Sequence, residues 1–166
     1  MPRFAFTGPE SSGKSTSSLW CADRISGRHI TEYARDYLAI SLSYTKEDLD
    51  HIAREQFKRN LQEGSRIVCD TEMLVMKIWC EEKFNKCSDQ ILLLRASQEF
   101  DHYFLCKPDI PWEEDPLREN PKDRERLFFI YENQLKELNL PYSILFGNID
   151  QRQKRMEEVL DNFSLL

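Results

Sequence analysis

A chain of 166 residues, 40% hydrophobic and 11% aromatic, can enclose one continuous core without disulfide or metal staples, so residues 1–166 are expected to form a single domain. No stretch approaches the roughly 20 uninterrupted apolar residues of a membrane span. A net charge of −6 withholds the dense positive surface that a nucleic-acid partner demands, but small phosphates need only a few cations and amides placed locally.

Met1-Pro2-Arg3 leads straight into Phe4-Ala5-Phe6, which leaves no room for a signal peptide and predicts a cytoplasmic protein. Arg3–Thr7 reads as a first strand. It runs into Gly8-Pro9-Glu10-Ser11-Ser12-Gly13-Lys14-Ser15, which fits the G-x-x-x-x-G-K-[ST] pattern of a phosphate-binding loop. The glycines let the backbone approach the phosphates, successive amides point inward, and the helix predicted over 14–25 adds its positive end. Gly8, Glu10, Ser11, Ser12, Gly13, Lys14, Ser15 and Thr16 are therefore expected to contact ATP, with Lys14 on the β- and γ-phosphates and Ser15 on Mg²⁺. Four fixed positions, with a strand before them and a helix after, make this the most specific signal in the chain.

A second strand is predicted over 28–31, followed by Glu32-Tyr33-Ala34-Arg35. In a parallel sheet the carboxyl end of every strand faces the same edge, so Glu32 should reach the crevice beside the phosphate loop. Glu32 and Arg35 then stand one helical turn apart, and Tyr33 offers a stacking surface. Thr45-Lys46-Glu47-Asp48 is a capping box for a helix carrying Leu49, Ile52, Ala53, Phe57 and Leu61 on one face and ending near Gly64. The third strand, 66–69, ends on Asp70, which fits the carboxylate that holds the magnesium shell beside a phosphate loop. The plainer reading of that Asp is a cap for the helical stretch opened by Thr71-Glu72.

His102–Cys106 is the fourth strand. Residues 107–119 hold three prolines, three consecutive acids and Trp112, a composition for neither helix nor strand, and long loops in compact domains are commonly lids. The expected lid spans about 108–126, with Arg118 and Arg124 able to swing onto a triphosphate and Arg126 a weaker candidate. Asn120-Pro121 predicts the start of a helix whose stripe is Leu127, Ile130, Tyr131, Gln134 and Leu138. After Pro141 a fifth strand, 142–146, leads to a helix from Asp150 with Met156, Val159, Leu160 and Phe163 facing inward. Strands alternating with helices predict an α/β fold built on a five-stranded parallel sheet. His29, His51 and His102 show no triad or metal spacing and read as structural. The five cysteines are scattered and never at the spacing of zinc or redox pairs, so they read as reduced, buried thiols.

Taken together, the phosphate loop, Glu32-Tyr-Ala-Arg35, Ile52-Ala-Arg-Glu-Gln56, Asp70-Thr71 with Ile78-Trp79, and Pro108-Asp-Ile-Pro-Trp112 before Asp115-Pro-Leu-Arg118 resemble the ribosylnicotinamide kinase domain of NadR-type proteins. The likeness covers nearly the whole chain. It implies a P-loop NTPase fold and transfer of the ATP γ-phosphate to the 5′-hydroxyl of nicotinamide riboside. It also implies Lys14 and Ser15 at the triphosphate and metal, Asp70 at the magnesium, and Glu32 or Asp70 as the base; Tyr33, Arg35 and Trp112 are further expected among the acceptor contacts. Asn148 and Arg152 fall where related nucleotide kinases pass the adenine. NadR-type proteins commonly carry an adenylyltransferase domain ahead of the kinase, whereas this sequence opens on the phosphate-loop strand. Two alternatives stay open: a nucleoside or nucleoside monophosphate kinase, and an ATP-dependent switch that acts through a partner. Thr71 stands where thymidylate-kinase-like enzymes often place arginine, which leans towards an acceptor without a phosphate.

Overall fold

The structure is a computed structural model and describes residues 1–41 and 43–166. The elements run β1 (Arg3–Thr7), α1 (Lys14–Arg24), β2 (Arg28–Ile30), α2 (Tyr33–Tyr37), α3 (Lys46–Asn60), β3 (Ile67–Cys69), α4 (Met73–Phe84), α5 (Asp89–Ser97), β4 (His102–Cys106), α6 (Arg124–Glu137), β5 (Tyr142–Leu145) and α7 (Ile149–Asn162). All five strands are parallel, in the order β2-β3-β1-β4-β5. The chain leaves β1 for one side of the sheet and later returns to fill the other. The carboxyl end of β1 is therefore the switch point where open α/β sheets bind ligands, and the loop that follows it is the glycine-rich one.

Each central strand divides its side chains between two covered faces, which is why the strands read as unbroken apolar runs. Phe4, Phe6, Phe104 and Cys106 face α1 and α7, packed on Cys21, Ala22, Ile25, Met156 and Leu160. Ala5, Tyr103 and Leu105 face α4 and α6, packed on Leu74, Ile78, Leu127 and Leu135. Fully burying a large apolar side chain is worth about 1.5–3 kcal/mol, so the Phe4, Phe6 and Phe104 contacts fix the sheet's position against α1 and α7. A further apolar cluster joins α2, α3, α4 and α5 into a helical shoulder beside β2 and β3, with Leu49, Ile52, Met73, Met76 and Ile91 inside it. None of the described helices is long and apolar enough to cross a membrane. All five cysteines are buried and unbridged.

The strand expectations differ from the structure by at most a residue at either end, but two helix boundaries differ for identifiable reasons. The Thr45 and Asp48 capping box forms, and α3 closes at Asn60 rather than near Gly64, where Asn60 Nδ2 turns inward to donate to Thr71 O at 3.0 Å. α6 begins at Arg124, three residues after Pro121. Asn120, the expected cap, instead gives its backbone N–H (3.0 Å) and its side-chain amide (3.3 Å) to the Glu10 carboxylate, so the helix starts from Asp123.

His102 is neutral in the fold. Its Nε2 lies 3.1 Å from Ser143 Oγ, and burial, then Arg155, push its pKa from 6.5 down to about 4. A base held neutral when folded but free to ionise when unfolded contributes stability above the unfolded value, and loses it as pH falls from about 6.5 to about 4. Urea midpoints should drop across that window in the native protein and drop less in His102→Gln. Equal slopes in the two proteins would assign the acid sensitivity to other groups.

Candidate active site

The loop between β1 and α1 is shaped by its neighbours as much as by its own sequence. Gly8 has φ +130°, and a Cβ there would sit 2.7 Å from Cys106 O of β4, so only glycine lets the loop leave between the strands. Gly13, at φ +86°, lies against the Arg152 guanidinium, where a Cβ would come within 3.0 Å of Nη1. Ser12 Oγ closes the loop by donating to Pro9 O at 2.6 Å. Lys14 Nζ donates to Gly8 O (2.9 Å) and Pro9 O (2.8 Å), which folds the ammonium over the loop.

Next to the loop stand three carboxylates with different surroundings. Asp70, one residue past β3 and buried, accepts from Ser15 Oγ through Oδ2 at 2.7 Å. Glu32 caps α2, and its Oε2 pairs with Arg35 Nε at 3.1 Å. Burial, and then the Asp70 carboxylate, push the Glu32 pKa up, against the pull of Arg35 and Lys14. Glu72 is fully enclosed. It accepts from Thr7 Oγ1 (2.7 Å), Leu74 N (2.6 Å), Val75 N (3.3 Å) and Gln98 Nε2 (2.6 Å), locking the end of β1 to the start of α4. It is therefore a structural link between the loop's strand and the Asp70 segment, satisfied by donors on every side.

A cavity of about 450 Å³ opens between the loop and these carboxylates. α4 lines it with Val75, Ile78, Trp79 and Glu82, which share one face at helical spacing, Thr71 lines it just ahead of that helix, and α6 adds Leu127 and Tyr131. The wall opposite is the 107–123 loop, which lies against the phosphate loop. Glu113 N donates to Ser11 Oγ at 3.0 Å, Arg118 Nη1 reaches the same oxygen at 3.4 Å, and Glu119 N donates to Glu10 Oε2 at 2.9 Å.

A family model described as an AAA domain matches residues 3–152. The chain belongs to the AAA-domain family. Its backbone is similar to that of NadR in complex with NAD and AMP-PNP, with a TM-score of 0.74, 18% identity, and coverage of 96% of this chain and 49% of that one. NadR in complex with NR gives a TM-score of 0.75, 19% identity, and coverage of 96% and 51%. Deoxyadenosine kinase from M. mycoides, with products dCMP and dCDP bound, gives 0.66 at 15% identity over 98% of each chain. These likenesses establish an α/β P-loop fold of the NadR-like kind. The chain spans about half the length of the NadR chains it matches. No curated protein matches the sequence.

Of the residues singled out from the sequence of this AAA-domain chain, the cavity brings together Gly8, Glu10, Ser11, Ser12, Gly13, Lys14, Ser15, Thr16, Glu32, Arg35, Asp70 and Arg118. Others lie elsewhere. Tyr33 points into the helical shoulder, its hydroxyl 3.0 Å from His51 Nε2 and its ring under Arg59. Trp112 lies on the loop's far side, bonded to Glu114 Oε1 at 3.0 Å with Arg124 over its ring. Arg124 itself donates to Ser11 O (2.8 Å) and Ile110 O (3.1 Å), bracing backbone. Arg126 pairs with Glu82 and Asp123. Asn148 is exposed and caps α7, accepting from Gln151 N at 2.9 Å. Arg152 is buried and gives its guanidinium to Ser12 O (2.6 Å), Lys107 O (2.8 Å) and Asp109 Oδ1 (2.6 Å), which makes it a brace beneath the phosphate loop. Glu72, Val75, Glu82 and Tyr131 were not singled out as site residues. For the α4 pair the available signal was helical phase: Ile78 and Trp79, already quoted from the sequence, stand three or four residues from 75 and 82 and so share their face.

Proposed function

We propose that the chain is an ATP- and Mg²⁺-dependent kinase that transfers the γ-phosphate to the 5′-hydroxyl of nicotinamide riboside, giving nicotinamide mononucleotide. The observation that carries the reading is the division of roles between two adjacent carboxylates. Asp70 is coupled to Ser15 of the phosphate loop, and Glu32 stands beside them with a raised pKa, facing the cavity. The paired oxygens of Ser15 and Asp70 are the hard donor set that Mg²⁺ takes, and these two residues would hold it. When bound, the ion neutralises charge on the β- and γ-phosphates. Glu32 is then the carboxylate left to accept the acceptor's hydroxyl proton, Lys14 and the loop amides hold the transferring phosphoryl group, and Arg118 covers it from the lid.

An acceptor that already carries a phosphate calls for unpaired cations, and those on the acceptor side of the cavity are engaged. Arg35 is shared between Glu32 and Asp115, and Lys83 pairs with Glu119 at 2.7 Å. Among the described lining residues carboxylates outnumber cations six to four, and Trp79 and Tyr131 offer aromatic faces. That environment suits a nucleoside with a cationic ring, since a cation over an aromatic face gains about 0.5–2 kcal/mol. The NadR structures bind NR and an ATP analogue, which is consistent with this choice.

The test is ATP consumption by the purified protein with Mg²⁺, offering nicotinamide riboside, other nucleosides and nucleoside monophosphates separately and identifying products by mass. Nicotinamide mononucleotide in proportion to ATP consumed, with the riboside alone, is the expected result. Turnover only with a monophosphate would overturn the acceptor. ATP binding with no acceptor-dependent turnover would favour the switch reading instead. Arg118→Ala should lower kcat much more than it weakens ATP binding, because a lid arginine acts mainly in the closed transition state. Loss of ATP affinity with kcat preserved would make Arg118 a ground-state contact.

A further inference from the structure

We propose that Asp115, on the loop that covers the cavity, is a positioning residue for Glu32 and acts through Arg35. The inference rests on the kinase reading for its function, but its geometry stands separately. Arg35 gives Nε to Glu32 Oε2 at 3.1 Å and Nη1 to Asp115 Oδ2 at 2.6 Å, so one rigid guanidinium links the two carboxylates. Asp115 is itself held by its own turn: its Oδ1 accepts from Leu117 N at 2.9 Å, and its carbonyl from Arg118 N at 3.0 Å. The same short turn carries Arg118, which reaches Ser11 of the phosphate loop, and the two backbone amides after it are gripped by Glu10. One segment thus touches the nucleotide side through Arg118 and Glu10, and the acceptor side through Asp115. Seating it on the phosphate loop fixes the direction of Arg35, and Arg35 fixes the carboxylate oxygen it faces.

A purely structural role predicts something different. Arg35 is 41% exposed, and exposed ion pairs contribute little to stability, about 0–1 kcal/mol. Losing the Asp115 carboxylate should therefore be visible in catalysis and in the titration of Glu32, and hardly at all in unfolding. The charged groups that face Glu32 are Lys14 from α1, Arg35 from α2, Asp70 after β3 and Asp115 from the loop. Two effects of Asp115 on Glu32 have opposite signs. Acting directly through space, its negative charge raises the Glu32 pKa, so removing it lowers that pKa. Acting through Arg35, it holds a cation against Glu32, so removing it frees the guanidinium and raises that pKa.

The experiment is the ¹³C titration of the Glu32 carboxyl in the full chain, in the native protein and in Asp115→Asn, Arg35→Gln and the double variant, with urea midpoints as the check on folding. The expected result is an upward midpoint in Asp115→Asn, an upward midpoint in Arg35→Gln, and a double variant that lies no higher than Arg35→Gln, because without Arg35 only the direct effect of Asp115 is left to lose. A downward or unmoved midpoint in Asp115→Asn, or shifts that simply add in the double variant, overturns the proposal. With nicotinamide riboside as acceptor, kcat should fall about tenfold in Asp115→Asn, within the cost of mispositioning a catalytic group, while KM for ATP changes less than about twofold. If the native protein does not phosphorylate the riboside, the acceptor assignment fails while the titration still decides the linkage.

Discussion

Glutamine in place of Glu32 should lower phosphoryl transfer by about 10²- to 10⁴-fold, the range that a positioned general base contributes, with KM for ATP nearly unchanged. The substitution keeps the side chain's shape and removes the charge that pairs with Arg35 and accepts a proton. The alternative is that Glu32 is no more than the partner of Arg35 in an i,i+3 pair at 3.1 Å, and a pair of that kind predicts near-normal turnover in the variant. The pH profile separates the two readings further. A base must be ionised to work, so kcat/KM rises with pH through its pKa in the free enzyme, and burial beside Asp70 places that rise above the ordinary carboxylate value. The limb should vanish in Glu32→Gln. A residual limb at the same pH would transfer the role to another group, with Asp70 the next candidate.

The contrast between Glu32 and Asp70 also marks where sequence reasoning stopped. Strand-end position was enough to bring both carboxylates to one edge of the sheet, because parallel strands must end there together. Their different chemistry depends on tertiary neighbours that lie 38 to 55 residues apart: Ser15 opposite Asp70, and Asp70 beside Glu32. Local signals such as the Thr45 box and the run of strands were legible for the same reason, being written within a few consecutive residues. Where a local signal met a stronger distant partner, the distant partner won. Asn120 had a good cap sequence, but the Glu10 carboxylate took its amides, and α6 started three residues later than Pro121 suggests. Arg152 was read towards the adenine from its place in the sequence, whereas a buried guanidinium needs acceptors, and the carbonyls of Ser12 and Lys107 with the Asp109 carboxylate supply them. Tyr33 had the right position in the chain and the wrong side of a five-residue helix.

Lys14→Ala should reduce transfer by at least about 10²-fold, the cost of losing one preorganised group that stabilises transition-state charge. The structure adds a second consequence of that change. Lys14 Nζ donates to two carbonyls of its own loop, at Gly8 and Pro9, and phosphate oxygens are stronger acceptors than peptide carbonyls. An arriving triphosphate therefore draws the ammonium from the loop, and part of its binding energy is spent on the exchange. Alanine has no such bonds to break, so ATP affinity should fall by less than the rate does. Measuring ATP binding by calorimetry and transfer in single-turnover mode separates the two quantities. Loss of ATP affinity with the single-turnover rate preserved would make Lys14 a ground-state anchor only, and near-native transfer with near-native affinity would remove the phosphate loop from the chemistry. Lys14→Arg tests the geometry, because a planar fork cannot reproduce the compact ammonium between two carbonyls. It should retain much of the ATP affinity and little of the rate.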